Sequence, residues 1–262
     1  MSTVRKPNPS RDPRREDPFF YGWRDTYRVG AHGRKEYVQM PLTSEDVLHP
    51  QEGDHIMLGD AHSDDTSYLK NTFRIQLASD ATARVFNDLG IYWDLPELDH
   101  YSPDISVIVG IRRARRNWTA FYVAKEGVRP SLLIEITSPS TRTIDLHDKR
   151  KEYYQARVPY YVIADEQIRH GQRSLRILGY RRGQRGYERL ALNRQGRLWL
   201  DPVGLWLGQE DGRVACYDAQ GNRFGDYTEV AQARKAADEA REAAEERVRQ
   251  LEAELRRLRG NI

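Results

Sequence analysis

Three side chains stand out by type and placement. Asp104 follows Pro103 at the head of the strand-like run "PDISVIVGI", Glu135 sits inside "LLIEITSPST" between Ile134 and Ile136, and Lys149 lies on the helical stretch that follows directly. An ionised carboxylate among aliphatic residues is costly unless a cation, a metal ion or open solvent compensates it. If the two strands are neighbours, Asp104 and Glu135 make a hard-oxygen pair suited to magnesium. A lysine beside them then holds an attacking water or balances charge on a phosphate. The Ser138-Pro139-Ser140-Thr141 turn adds a helix N-terminus with free N–H groups that suit an anion. The plainer readings are a turn aspartate after proline and, for Lys149, an i,i+4 surface pair with Asp145 worth roughly 0.3 kcal/mol.

The elements that must position these residues follow from periodicity. "PLTSEDVLHP" predicts a short helix capped by Thr43 or Ser44 and ended by Pro50, and "DHIML" a strand. In "HSDDTSYLKNTFRIQLASDATARVF", Tyr68, Leu69, Phe73, Leu77 and Ala81 recur at helical spacing, which predicts one long amphipathic helix. "PDISVIVGI" and "TAFYVA" read as strands around the basic tip "RRARRNW", with "LLIEI" as the third strand, a helix over Thr143 to Arg157 and a buried strand at "YYVIAD". From Ser174 to Tyr227 turn signals punctuate short strands, predicting hairpins that extend the sheet.

The order of elements, the Pro103-Asp104 pair and above all "IEITSPSTRTIDLHDKRKEYYQARVPYYVIAD" resemble the Uma-two family of restriction-endonuclease-like proteins, a branch of the PD-(D/E)xK nuclease superfamily. The resemblance covers roughly Pro41 to Tyr227. It implies an α/β fold, a restriction-endonuclease-like core with a mixed central sheet flanked by helices, to which the hairpins and a C-terminal coiled-coil helix are added. It implies DNA phosphodiester hydrolysis with Mg (or Mn), Asp104 and Glu135 as metal ligands and Lys149 as a lysine displaced from strand to helix. The usual strand position, two residues after the glutamate, holds Thr137 here. Glu52 and His62 are further candidates, since the superfamily often draws a third group from that region. Arg112, Arg113, Arg115 and Arg116 are candidates for gripping a phosphate backbone, with Trp118 as a stacking surface.

Composition bounds the rest. The 262 residues carry 42 Lys and Arg against 39 Asp and Glu, a net charge of +3, so a nucleic-acid partner must be held by local clusters of basic residues. One cysteine excludes an internal disulfide, and no apolar run approaches the ~20 residues of a membrane span, so a cytoplasmic setting is expected. Residues 1–35 read as a flexible basic arm with an aromatic cluster at Phe19 to Trp23, and 36–227 as the nuclease-like domain. Residues 228–262 read as a coiled coil. Val230, Ala233, Ala237, Ala240 and Ala244 step by three and four, then Val248, Leu251, Leu255 and Leu258 continue the seam after a stutter, which predicts a homodimer. A rival reading makes the chain a catalytically silent nucleic-acid- or protein-binding scaffold oligomerised by that coil. Thr137 speaks for the rival, the intact Asp104 and Glu135 for the enzyme.

Overall fold

The computed structural model describes residues 21–29, 35–43, 46, 51, 54–56, 60–112, 117–138, 141–169 and 172–259. In chain order the strands are β1 (Gly22–Val29), β2 (Lys35–Pro41) and β3 (Asp54–Ile56), followed by helix α1 (Asp60–Gln76). Then come β4 (Arg84–Phe86), β5 (Ile91–Tyr92), β6 (Ile105–Ile108), β7 (Phe121–Tyr122), the short α2 (Val123–Glu126) and β8 (Leu132–Ile136). Helices α3 (Arg142–Leu146) and α4 (Asp148–Gln155) lead to β9 (Tyr160–Arg169), β10 (Gln172–Arg182), β11 (Tyr187–Arg189), β12 (Leu198–Leu200), β13 (Leu205–Glu210) and β14 (Arg213–Tyr217). Helix α5 (Tyr227–Arg259) is the tail. The chain divides into two compact units, one ending at Asn222 and one beginning at Arg223.

The centre of the first unit is a six-stranded sheet in the order β11-β10-β9-β8-β6-β4. It is mixed: β8 and β9 run parallel and the other neighbours antiparallel. All five residues of β8 are buried, as expected for a strand covered on both faces, and this is why its sequence is an apolar run instead of an alternation. A parallel neighbour demands a crossover, which α3 and α4 supply. The expected hairpins extend the main sheet only through β10 and β11; β12, β13 and β14 pair with one another in a separate three-stranded sheet, a correction to the expected extension.

On one side α1 packs on β4, β6 and β14 through Leu69 and Phe73. Its buried Asp65 receives Arg173 at 2.8 Å and Arg213 at 2.7 Å, tying the helix to β10 and β14. Asp65→Ala leaves the partly buried Arg173 short of a counter-charge, and we expect a loss of about 3 kcal/mol in urea unfolding. On the other side Tyr153, Tyr161, Leu133, Ile163 and Ile108 form the core together with Phe121 and Ile91.

Several expected elements differ. The long helix begins at Asp60 and stops at Gln76. Asp80 accepts from Thr82 N at 2.8 Å and Thr82 Oγ1 at 2.7 Å, a local turn that competes with the helix. The chain then extends as β4 beside β6. "TAFYVA" is no strand of the main sheet. Phe121 and Tyr122 pair in parallel with Ile91 and Tyr92, and Val123 starts a single helical turn closed by Gly127 at φ 69°. The expected helix over 143–157 is two, broken at His147 with φ −122° and ψ −62°. Gly22–Val29, inside the stretch read as a flexible arm, is a strand, held by Arg24 on Asp54 at 2.5 Å and Asp46 at 2.9 Å. Trp23 of the aromatic cluster stacks on His55, and Phe19 and Phe20 lie outside the described residues. Thr43 and Asp46 exchange hydrogen bonds, and most of the short helix expected there lies outside the described residues.

Candidate active site

β6 and β8 are adjacent and antiparallel, with Ile105 opposite Ile134. One further step of that register puts Asp104, just ahead of β6, across from Glu135 and on the same face of the sheet. The contacts agree: Asp104 N lies 3.5 Å from Glu135 Oε2, and Ile136 N donates to Asp104 Oδ2 at 2.6 Å.

Lys149 reaches the strand from α4. Its Nζ lies 3.1 Å from Glu135 Oε1 and 2.8 Å from Asp145 Oδ1, and Tyr153 OH donates to the same Glu135 oxygen at 2.8 Å. Asp145, Lys149 and Tyr153 share one side of the helical segment despite the break at His147, and all three are buried. The Asp145–Lys149 pair is therefore no surface pair. Thr137 turns to other work, accepting from Glu166 N at 2.8 Å beside the buried Asp165.

The charges are crowded. Burial pushes the Glu135 carboxyl up, Lys149 partly counters this, and the carboxylates of Asp145 and Asp104 push it further. Burial likewise raises Asp145. For Lys149, burial alone lowers the pKa, yet Asp145 and Glu135 outweigh it and hold the ammonium well above its ordinary value. His62, in the first turn of α1, lies 3.1 Å from Asp104 Oδ1; burial lowers its pKa, but the charge and hydrogen bond of Asp104 together with the charges of Asp88 and Glu135 bring it up to about 9. Three carboxylates thus face two cations.

That surplus fits a divalent cation. Asp104 and Glu135 are hard oxygen donors, and magnesium takes one or two carboxylates and fills its remaining positions with water and phosphate oxygens. Among the described residues no three His, Cys, Asp or Glu side chains gather closely enough to enclose a metal by themselves.

Of the other expected site residues, His62 is brought to Asp104, and Glu52 lies outside the described residues. Arg112 is exposed, beyond the buried Ile111, and Arg113, Arg115 and Arg116 lie outside the described residues. Trp118 is half-buried against Phe86 and Phe121, with centroids at 5.9 and 5.5 Å. Asp88 was not expected. It sits at φ 50°, and its N donates to the Pro103 carbonyl at 3.1 Å. Although its side chain is exposed, the crowding protein around it and the Asp104 charge bring its carboxyl up to about 6. The only signal in "FNDLG" is an ordinary turn.

A family model, Uma2, described as "Putative restriction endonuclease", matches residues 34–215. The chain belongs to the Uma2 family. The mixed sheet flanked by helices is the α/β arrangement expected for the matched region, and the tail helix lies beyond it. A solved structure similar to this Uma2 chain is described as "a putative nuclease belonging to DUF820" from Anabaena variabilis ATCC 29413. It is 20% identical, with 58% of this chain and 88% of that chain covered and a TM-score of 0.40. No curated protein matches this Uma2 chain. Among the described residues no helix is long and apolar enough to cross a membrane.

Proposed function

We propose that this Uma2 protein is a metal-dependent endonuclease that hydrolyses DNA phosphodiester bonds. The observation that carries the reading is the meeting of Asp104 and Glu135 from adjacent strands on one face of the sheet, with Lys149 3.1 Å from Glu135. Asp104 and Glu135 would hold magnesium or manganese. When bound, such an ion lowers the pKa of a water and neutralises charge on a phosphate.

The chain's own groups do the positioning. Tyr153 and Lys149 both bind Glu135 Oε1, which leaves Oε2 on the Asp104 side. Ile136 N and His62 fix the Asp104 carboxylate from two directions. Asp145 anchors Lys149, whose ammonium has three N–H groups, so one remains to orient a nucleophilic water or a phosphate oxygen. Nicking of supercoiled plasmid by the full chain, with magnesium or manganese and with EDTA, tests the reading. No nicking with any of these ions overturns it.

The tail supports a dimer. α5 is 33 residues long and its seam residues Val230, Val248, Leu251 and Leu255 are exposed, which a coiled coil with a second copy would cover. Multi-angle light scattering on the full chain and on a chain ending at Asp226 is expected to show the particle mass fall by half or more on truncation. Equal numbers of chains per particle refute a coil-driven dimer.

A further inference from the structure

A second feature lies on the strand that leads into the site. A cavity of about 440 Å³ opens at the β4 edge of the sheet, between the end of α1 and the wall formed by Phe86 and Trp118. That volume is within the roughly 300–1,000 Å³ of small-ligand pockets. Two guanidinium groups border it. Arg74 donates to the Val85 carbonyl at 3.2 Å, and Arg84 donates through one terminal nitrogen to the carbonyls of Ala81 and Ala83. The Arg84 Nε is buried, with no hydrogen-bond partner among the described residues. Polar atoms in such a position are rarely left without an acceptor.

Register relates this cavity to the carboxylates. Phe86 stands opposite Ser106 and Arg84 opposite Ile108, so Arg84 and Phe86 share the sheet face of Asp104 and Glu135. Along β6, the four residues from Ile108, opposite Arg84, back to Asp104 span roughly 13 Å at about 3.3 Å per residue. At about 3.4 Å per nucleotide along a strand, that is a few nucleotides.

The geometry points to a subsite for one unstacked nucleotide of the substrate strand, a few positions from the bond that is cut. The base lies against the Phe86 and Trp118 wall, and its phosphate or an exocyclic oxygen is met by the guanidinium groups of Arg84 and Arg74 on the lining. Aromatic walls tolerate any base, and arginine forks match phosphate oxygens. The subsite rests on the nuclease reading, because only a nucleic acid held at Asp104 and Glu135 brings a nucleotide to this place.

The test is anisotropy titration of a labelled ten-nucleotide single-stranded DNA into the full chain in EDTA, where metal binding plays no part. A ten-unit abasic deoxyribose-phosphate oligomer serves as the comparison. Arg84→Met and Ala78→Phe are the variants; the second covers the cavity mouth from an exposed position and keeps both arginines. Each is expected to weaken binding about tenfold, and the abasic oligomer to bind wild type about tenfold more weakly than the DNA. Ala78→Phe decides the matter if Arg84→Met proves unfolded by circular dichroism. Wild-type affinity in folded Ala78→Phe, or equal affinity for DNA and the abasic oligomer, overturns the subsite and leaves the nuclease reading intact. Failure of wild type to bind the DNA at all overturns the subsite, while the nuclease reading stands or falls on plasmid nicking.

Discussion

Glu135→Gln is expected to reduce plasmid nicking on the order of a thousandfold while leaving the metal-free protein as stable as wild type or more so. The sign follows from the contacts. An acid whose pKa the fold raises costs stability when it is ionised, above the carboxylate's ordinary range. Burial and the neighbouring Asp145 and Asp104 raise Glu135 in this way. Glutamine keeps the shape and still accepts from Tyr153. Lys149 is not stranded by the change, since Asp145 remains at 2.8 Å. The melting temperature in EDTA should therefore hold or rise, while nicking with magnesium is lost. A melting point several degrees lower, together with surviving cleavage, would show that Glu135 is a member of a structural ion pair and no metal ligand.

Lys149→Met is expected to act the other way. Among the described residues Lys149 is the one cation in contact with both Glu135 and Asp145, and all three are nearly inaccessible to solvent. Removing one partner of a buried ion cluster costs about 3–5 kcal/mol because the remaining charge is left uncompensated. For a folded unit of this size that lowers the melting point by roughly 10 °C. The chain has a partial escape in protonating its carboxylates, so the deficit should shrink as pH falls toward the raised pKa values of Glu135 and Asp145. Adding Asp145→Asn to Lys149→Met should recover part of the loss. If the double variant is no more stable than Lys149→Met, the lysine's stem packing and not its charge carries the effect. Calorimetry of the two variants at pH 5 and pH 8 separates these cases.

These two variants separate roles that share a few ångströms. On these expectations Glu135 is expendable for folding and needed for nicking, whereas Lys149 is needed for folding. An arrangement of that kind is common where function retains charges that stability alone would replace with apolar groups.

Much of this was legible in the residues. Glu135 between Ile134 and Ile136 announced a compensated carboxylate, because a buried charge is too costly to leave alone. The four- and eight-residue spacing of Asp145, Lys149 and Tyr153 placed them on one side of a helix whatever its exact ends. The apolar continuity of "YYVIAD" marked a buried strand. Periodicity alone did not show where the helix after His62 ends, because Leu77 and Ala81 fit its stripe. The Asp80–Thr82 turn overrules them, and a local hydrogen bond of that kind leaves the hydrophobic pattern unchanged. Nor did it show that Phe121 and Tyr122 leave the main sheet, since strand character says nothing about which neighbour a strand finds. Pairing is a long-range choice: only the sheet order put β6 directly beside β8, brought Asp104 opposite Glu135, carried Asp88 to Pro103, and turned an apparent surface pair of Asp145 and Lys149 into the buried charge centre of the site.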